Sequence, residues 1–523
     1  MIKSSTYFFL IAFLEGASVM AIELAGARML APFYGTSMYV WAAILAVTLG
    51  GLTTGYYFGG WASSKYKGGK LLFSVLIAGA VLVALMPLMA LKIVPAFQGL
   101  GLRGGALASA LTIIYFPLLC MGMVSPILIQ LQNTAVNQTG KTAGSVYAIS
   151  TIGGIFMTLL MGFYLLPEWG IRASIYLTAA LLFLAALLAT YAAALKKGGL
   201  FGGLGLIAIL FLASVKQFAN PDIDLKFLSQ SEGIMGQVTV LDNPHPETNR
   251  MFRLLMINQI PQTQDNVAIL PISGWSYPHR LATLASIKPK GSRVLLVGMG
   301  GGNIAMELKK MGFTVDIAEI DSRMPGVAEK YFGFTPDSIA ITIDDGRHYI
   351  RNTSQKYDLV LTDVLNGEVQ PYHMFTREAF AELKKVLEPD ALVLINFQGY
   401  IIGEHGRAAR SIYNTLQNAG FHMQYYFSGD AQNDGDLHFI ASMGHPDYHA
   451  IEESRLNDCC KVMPHKEQDL VTAKPIDLFD ALVFTDDKPQ LELMNAYATE
   501  IWRKRTIETY LVNLPGYKIP FFQ

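Results

Sequence analysis

Residues 293–321, RVLLVGMGGGNIAMELKKMGFTVDIAEID, decide the fold. Residues 294–297 form a short apolar run of the kind that makes a buried parallel strand, and the run stops at glycines 298, 300, 301 and 302. Residues 303–311 read as a helix that Gly312 ends, and residues 314–317 read as a second strand leading to Glu319. A strand, glycine turn, helix and strand with a carboxylate about 20 residues past the glycines is the arrangement that binds an adenosine-containing ligand. Glycines let the backbone approach the ligand, and the carboxylate accepts hydrogen bonds from both ribose hydroxyls. The plainer alternative is a buried turn whose glycines serve packing only. Glycines and carboxylate together, at this spacing, favour the ligand site.

Downstream, strands are predicted at 339–343, 359–362 and 392–396, with a helix at 376–387 before the turn Glu388-Pro389-Asp390. Such alternation predicts a doubly wound, mostly parallel α/β sheet whose ligands lie beyond the C-terminal strand ends. Those ends read Asp344-Asp345-Gly346-Arg347, then Thr362-Asp363-Val364-Leu365-Asn366-Gly367, then Asn396-Phe397-Gln398-Gly399. Singly these are common turn formers and caps. As a set they bring acidic and amide groups to one edge with Glu319. Upstream, within 227–262, GQVTVLD and MFRLLMINQ flank the turn-rich NPHPETNR, which predicts a β-hairpin subdomain.

The N-terminal half is of another kind. Of 523 residues 52% are hydrophobic and 15% charged, too apolar for an ordinary soluble enzyme, and the apolar excess lies before residue 220. Seven segments of spanning length are expected, at 6–30, 38–62, 71–91, 105–131, 143–166, 171–194 and 199–218. Glu15, Glu23 and Arg28 interrupt the first, so it is not a cleavable signal peptide. Carboxylates are costly in hydrocarbon, so Glu15 and Glu23 should face the bundle interior, as a cation path or site or as structural groups paired with Arg28 or polar neighbours. Gly50, Gly51, Gly55, Gly59 and Gly60 read as helix-packing positions. With seven spans, the loop lysines and arginines favour an external C-terminal half; an adenosine ligand is made in the cytoplasm, and this supply argument places that half there.

The formal net charge of −1, with no long basic run, gives no sign of a nucleic-acid partner. Cys120, Cys459 and Cys460 form neither a disulfide framework nor a metal-ligand spacing.

Over residues 231–442 the strand before Gln262, WSYPH at 275–279, the glycine loop, AEID at 318–321, DDGR at 344–347, YDLVLTD at 357–363 and FQG at 397–399 occur in order. This ordered set resembles the spermidine synthase family of aminopropyltransferases, within the S-adenosylmethionine-dependent methyltransferase-like fold. The apolar N-terminal half is similar to the membrane-fused branch of that family. The resemblance implies a multi-span α-helical membrane domain at 1–220, the β-hairpin subdomain at 221–265, a doubly wound α/β domain at 266–450 and a C-terminal extension at 451–523.

By position it gives Glu319 the ribose, Asp345 and Gly346 the adenine end, Gln262 the nucleoside, and glycines 298, 300 and 302 the donor backbone cradle. Asp363 matches the catalytic aspartate, while Tyr277, Gln398 and Asn366 match the amine-acceptor pocket. The implied reaction is attack by a neutral amine of putrescine-like chemistry on the carbon beside a sulfonium, with decarboxylated S-adenosylmethionine or S-adenosylmethionine as co-substrate, methylthioadenosine as product and no metal. The lipid bilayer is the expected partner, the cell membrane the expected location, and a homo-oligomer is left open.

Two departures make the pocket less acidic. Gly301 stands where the family carries an aspartate that grips the aminopropyl ammonium, and Asn366 replaces the second carboxylate of an Asp-x-x-Asp. Glu368 or the glutamates of the first span are candidates to compensate. Two other readings compete: a methyltransferase or other transferase using S-adenosylmethionine, and a polyamine or metabolite transporter or sensor with a nucleoside-binding domain. The C-terminal Asp486-Asp487-Lys488-Pro489 also resembles membrane-fused members, and Trp502-Arg503-Lys504-Arg505 reads as a headgroup-surface segment or a solvated helix end.

Overall fold

The computed structural model describes residues 4–132, 138–192, 226–233, 235–244, 250–365, 367–429, 433–444, 476–488 and 490–513. They fall into an N-terminal unit, whose last described helix ends at Ala192, and a C-terminal unit that takes nearly everything described from Lys226 on.

Helices α1 (Ser4–Tyr34), α2 (Met38–Lys65), α3 (Gly68–Phe97), α4 (Gly101–Ile113), α5 (Tyr115–Gln132), α6 (Thr139–Leu160) and α7 (Gly170–Ala192) make the N-terminal unit. Among the described residues, five stretches are long and apolar enough to cross a membrane: Ser5–Tyr34, Met38–Lys65, Gly68–Ala90, Tyr115–Gln132 and Thr139–Ala192. The segment expected to span at 105–131 is instead two helices, of which only α5 has the length. Pro117 is the physical cause, because it has no N–H to offer the Ile113 carbonyl and its ring crowds that group. The segments expected at 143–166 and 171–194 form one stretch of 54 residues holding α6 and α7, joined by π-helical turns at Met161–Trp169. The segment expected at 199–218 lies outside the described residues.

Close backbone approach binds these helices. A Cβ on Gly16 of α1 would sit 1.9 Å from the Ser150 carbonyl oxygen of α6, and one on Gly55 of α2 would sit 2.4 Å from the Leu119 carbonyl oxygen of α5. Gly51 and Gly59 make similar contacts, as the small-residue reading expects, whereas Gly60 faces open space.

The C-terminal unit begins with a four-stranded sheet, β1 (Lys226–Ser231), β2 (Val238–Pro244), β3 (Met251–Ile257) and β4 (Ile260–Asn266), in that order. One hairpin was the sequence expectation, and β2 with β3 is that hairpin. The chain reverses again through Asn258 and Gln259, both at positive φ (49° and 68°), so β4 pairs antiparallel with β3.

Next come α8 (Ser276–Ala285), β5 (Arg293–Val297), α9 (Asn303–Lys310), β6 (Thr314–Glu319), α10 (Met324–Phe332), β7 (Ala340–Ile343), α11 (Gly346–Asn352), β8 (Tyr357–Thr362), α12 (Arg377–Lys384), β9 (Leu387–Gly399), α13 (Arg407–Asn418), β10 (His422–Phe427), β11 (Gly435–Ser442) and α14 (Leu491–Asn513). The seven-stranded sheet has the order β10-β11-β9-β8-β5-β6-β7, parallel from β9 to β7, with β11 and β10 antiparallel at one edge. Alternate residues of β5 enter different cores, Val294 and Leu296 on one face and Leu295 and Val297 on the other, which is why the strand reads as continuously apolar. The turn expected at 388–390 lies inside β9. Leu387 pairs with Tyr357 and Leu392 with Leu359, so the intervening residues bulge without ending the strand.

Candidate active site

Strand order reverses between β5 and β8: the chain moves outward through β6 and β7, then returns to the other side of β5. A crevice opens at such a switch point beyond the C-terminal strand ends. The glycine loop leaves β5 there and Asp363 leaves β8. Gly298 N–H donates to the Ala318 carbonyl and Asp363 N–H to the Val297 carbonyl, each at 2.9 Å. Gly298 has φ +85°, and a Cβ on it would lie 2.3 Å from the Asp363 carbonyl oxygen, so only glycine fits.

The Asp363 carboxylate is held from two sides. Tyr277 in the first turn of α8 donates its hydroxyl at 3.3 Å, and Asn396 of β9 donates its amide at 2.8 Å. Burial pushes the carboxyl pKa up, and these two hydrogen bonds oppose the shift without cancelling it. The role of Asn396 escaped the sequence reading, although its position two residues before Gln398, on the same side of β9, was a usable signal.

Glu319 ends β6 beneath the glycine loop. Its two carboxylate oxygens accept the N–H of Met299 at 2.9 Å and of Asp321 at 2.8 Å. Burial raises its pKa against those donors. Its backbone carbonyl receives the Asp344 N–H, which puts the next strand end beside it. Asp345 there caps α11, accepting the N–H of Arg347 and of His348 at 3.0 Å each, and His373 Nε2 lies 3.0 Å from its other oxygen. Burial alone would raise its pKa; the His348 N–H and His373 outweigh it, and the net shift is downward. Gly346 starts α11 so close to β5 that a Cβ would meet Val297 at 2.3 Å.

Strand β4 lies over the glycine loop with its odd-numbered face. Thr263 Oγ1 accepts the Gly301 N–H at 3.0 Å, and Asp265 accepts the Asn303 amide at 2.8 Å. A Cβ on Gly301 would come within 2.8 Å of Thr263 Cγ2, so the place where the family carries an aspartate is already filled. Gln262 donates its amide to the Gly367 carbonyl at 2.9 Å, in the loop that follows Asp363. Gln398 donates to Asp434 at 3.2 Å rather than to Asp363. Asn366 lies outside the described residues.

Two expectations are corrected here. Glu368 cannot replace a missing pocket carboxylate, because it forms a buried ion pair with Arg503 of α14 (side chains 1% and 4% exposed). Within the 502–505 segment Arg503 is likewise not at the surface, whereas Lys504 and Arg505 are exposed and Arg505 pairs with Asp434 at 2.6 Å. Asp486 of the C-terminal motif pairs with Arg347 behind α11 at 2.7 Å.

Residues 277–429 match the family model of the spermine/spermidine synthase domain. That match lies wholly within the C-terminal unit. Its segment from Tyr277 to Gly429 therefore includes the glycine loop, Glu319, Asp345, Asp363 and Gln398 of the crevice just described. The chain is 34% identical over 152 residues to a polyamine aminopropyltransferase of Vibrio vulnificus, an alignment over 27% of this chain and 51% of that protein. It is 21% identical over 247 residues to the polyamine aminopropyltransferase of Streptococcus uberis, over 46% and 84% respectively. Thus this chain spans about half the length of the first relative. A crystal structure of spermidine synthase from Thermotoga maritima is similar at 15% identity and a TM-score of 0.37, covering 52% of this chain and 88% of that one.

Proposed function

We propose that the synthase domain transfers an aminopropyl group from decarboxylated S-adenosylmethionine to a small, putrescine-like amine and releases methylthioadenosine. The observation that carries this reading is the buried Asp363 carboxylate, held by Tyr277 and Asn396 at the switch point beside the glycine loop. The amine lone pair attacks the methylene carbon next to the sulfonium. The carbon–sulfur bond breaks with its electron pair going to sulfur, and the nitrogen's proton passes to Asp363. A carboxylate whose pKa is raised by burial is better matched to that proton than an ordinary one.

In this reading Glu319 takes the ribose hydroxyls on the lone pairs its two backbone donors leave. Asp345 takes the adenine amino group, Gln262 orients the nucleoside, and Gly298, Gly300, Gly302 and Gly346 let the donor lie against backbone. Tyr277 and Gln398 line the acceptor side with Asn366. The sulfonium is itself a good leaving group, so the step calls for no metal.

A second reading, transfer from S-adenosylmethionine itself, is favoured by one observation: Gly301 offers no carboxylate to the donor's amine end, and Thr263 leaves no room for one. Incubating the purified full-length protein with each donor and a panel of amines decides between them. We expect methylthioadenosine from the decarboxylated donor; S-adenosylhomocysteine in its place would overturn the aminopropyl reading.

The same proposal divides the chain at residues 220, 265 and 450 and has the N-terminal unit cross the cell membrane several times, with the synthase domain in the cytoplasm where its donor is made. Five stretches of spanning length support it. A reporter that works only in the cytoplasm, fused after Gln523, should be active; activity of an exclusively external reporter at that position would overturn the placement.

A further inference from the structure

Helix α8 reaches the crevice with Tyr277, and two later side chains anchor its first turns. His279 has one ring nitrogen 3.0 Å from the Ser273 carbonyl oxygen and the other 2.6 Å from the Glu307 carboxylate of α9. Arg280, next in the chain, is 4% exposed. Its guanidinium donates to Ser276 Oγ, one turn back, at 2.6 Å, to the Asp436 carboxylate of β11, and through Nε to His438 Nε2 of β11 at 3.4 Å. Its central carbon lies 4.8 Å from the centroid of the Tyr426 ring of β10, and that ring stacks on His438.

Successive helical residues stand about 100° apart around the axis. His279 therefore ties α8 to the helix that follows the glycine loop, Arg280 ties it to the edge of the sheet, and the two anchors together fix its roll. Roll matters at Tyr277, whose hydroxyl stands far from the helix axis and meets Asp363 at 3.3 Å, already longer than most O–H···O bonds. Asn396, the other donor to Asp363, lies directly across from His438 in the β9–β11 register, with both side chains on one face. Arg280 thus backs the neighbours of both groups that hold the carboxylate. A lysine there keeps the charge but has no planar fork to reach Ser276, Asp436 and His438 at once.

We propose that Arg280 is a positioning residue for the transfer reaction: it locks α8 to β11 in the roll that sets the Tyr277 hydroxyl on Asp363. This rests on the reading of Asp363 as the base.

The test follows Asp363 itself in the full-length protein, as the protonated-carboxyl infrared band that Asp363→Asn removes, titrated against pH. Among the described residues the titratable groups that bear on Asp363 are Tyr277 of α8 and Asp436 of β11, the latter paired with Arg280. Tyr277→Phe takes a donor from the charged form and should move the half-point of the band to higher pH. Two variants loosen the anchor without changing the net charge: Arg280→Lys, and Arg280→Met combined with Asp436→Leu, an apolar pair in place of the ion pair. Each should move the half-point in the same direction, and Tyr277→Phe added to either should move it no further than Tyr277→Phe alone. Turnover should fall about tenfold in each, the worth of a hydrogen bond to a charged group, with KM for the amine and methylthioadenosine affinity at the wild-type values. A half-point unchanged in both Arg280 variants overturns the proposal whatever their thermal stability, and so does a further shift when Tyr277→Phe is added. Failure of the wild-type protein to form methylthioadenosine would refute the reaction instead, and the infrared titration would still decide the role of Arg280.

Discussion

Asp363→Asn is expected to lower turnover by about 10²- to 10⁴-fold, the usual cost of removing a general base. Asparagine keeps the size and can still accept the Tyr277 hydroxyl, but it cannot take the proton that the attacking amine must lose. Binding of methylthioadenosine should stay near wild type, because Glu319 and Asp345 stand on other strand ends and do not touch Asp363. Glu319→Ala should give the opposite split, weakening the nucleoside by about tenfold or more, since a charged acceptor for two hydroxyls is worth about 1.5–3 kcal/mol. Wild-type activity should fall as pH drops through the Asp363 pKa, and burial places that limb above the ordinary aspartate value of about 3.9. Product formation and nucleoside affinity measured on one folded preparation test this. A variant that keeps more than about a third of wild-type turnover shows that Asp363 only caps its turn.

Arg503→Leu should destabilise the synthase domain by about 3–5 kcal/mol, because it leaves the Glu368 carboxylate buried without its counter-charge. Arg503 Nε donates to Glu368 at 2.9 Å, and its guanidinium also reaches the Asn258 carbonyl in the β3–β4 turn. The ion pair thus ties α14 to the loop after β8 and to the turn that sets β4 over the glycine loop. Glu368→Leu combined with Arg503→Leu should recover most of the loss, since a well-packed apolar pair commonly replaces a buried ion pair at little cost. Thermal denaturation of the two variants beside wild type reads this directly, and a single variant as stable as wild type would refute the account.

Local chemistry made much of this site legible. The β5 run, its glycines, the α9 helix and Glu319 all lie within thirty residues, and each is marked by periodicity, by a turn requirement or by a strand-end carboxylate. Asp345 and Asp363 could be found for the same reason. The Glu368–Arg503 pair could not, because its partners are 135 residues apart, and alone Glu368 reads as a spare pocket carboxylate and Arg503 as a headgroup or solvent charge. Nor could the contact of Thr263 with Gly301, which depends on the register of β4 above the loop. Pro117 was visible, yet the apolar run around it read as one span until the break at Ile114 showed two helices.

That threonine constrains how the donor pocket can change by single substitutions. Thr263 is β-branched, and its hydroxyl holds the Gly301 N–H, so its methyl cannot rotate aside without breaking that bond. An aspartate arriving at 301 alone meets the Cγ2 methyl; alanine at 263 would strip the loop of its acceptor, whereas serine there would remove the methyl and keep the hydroxyl. The cost of an aspartate at 301 is therefore set by the residue at 263, and Thr263→Ser is the substitution expected to lower it.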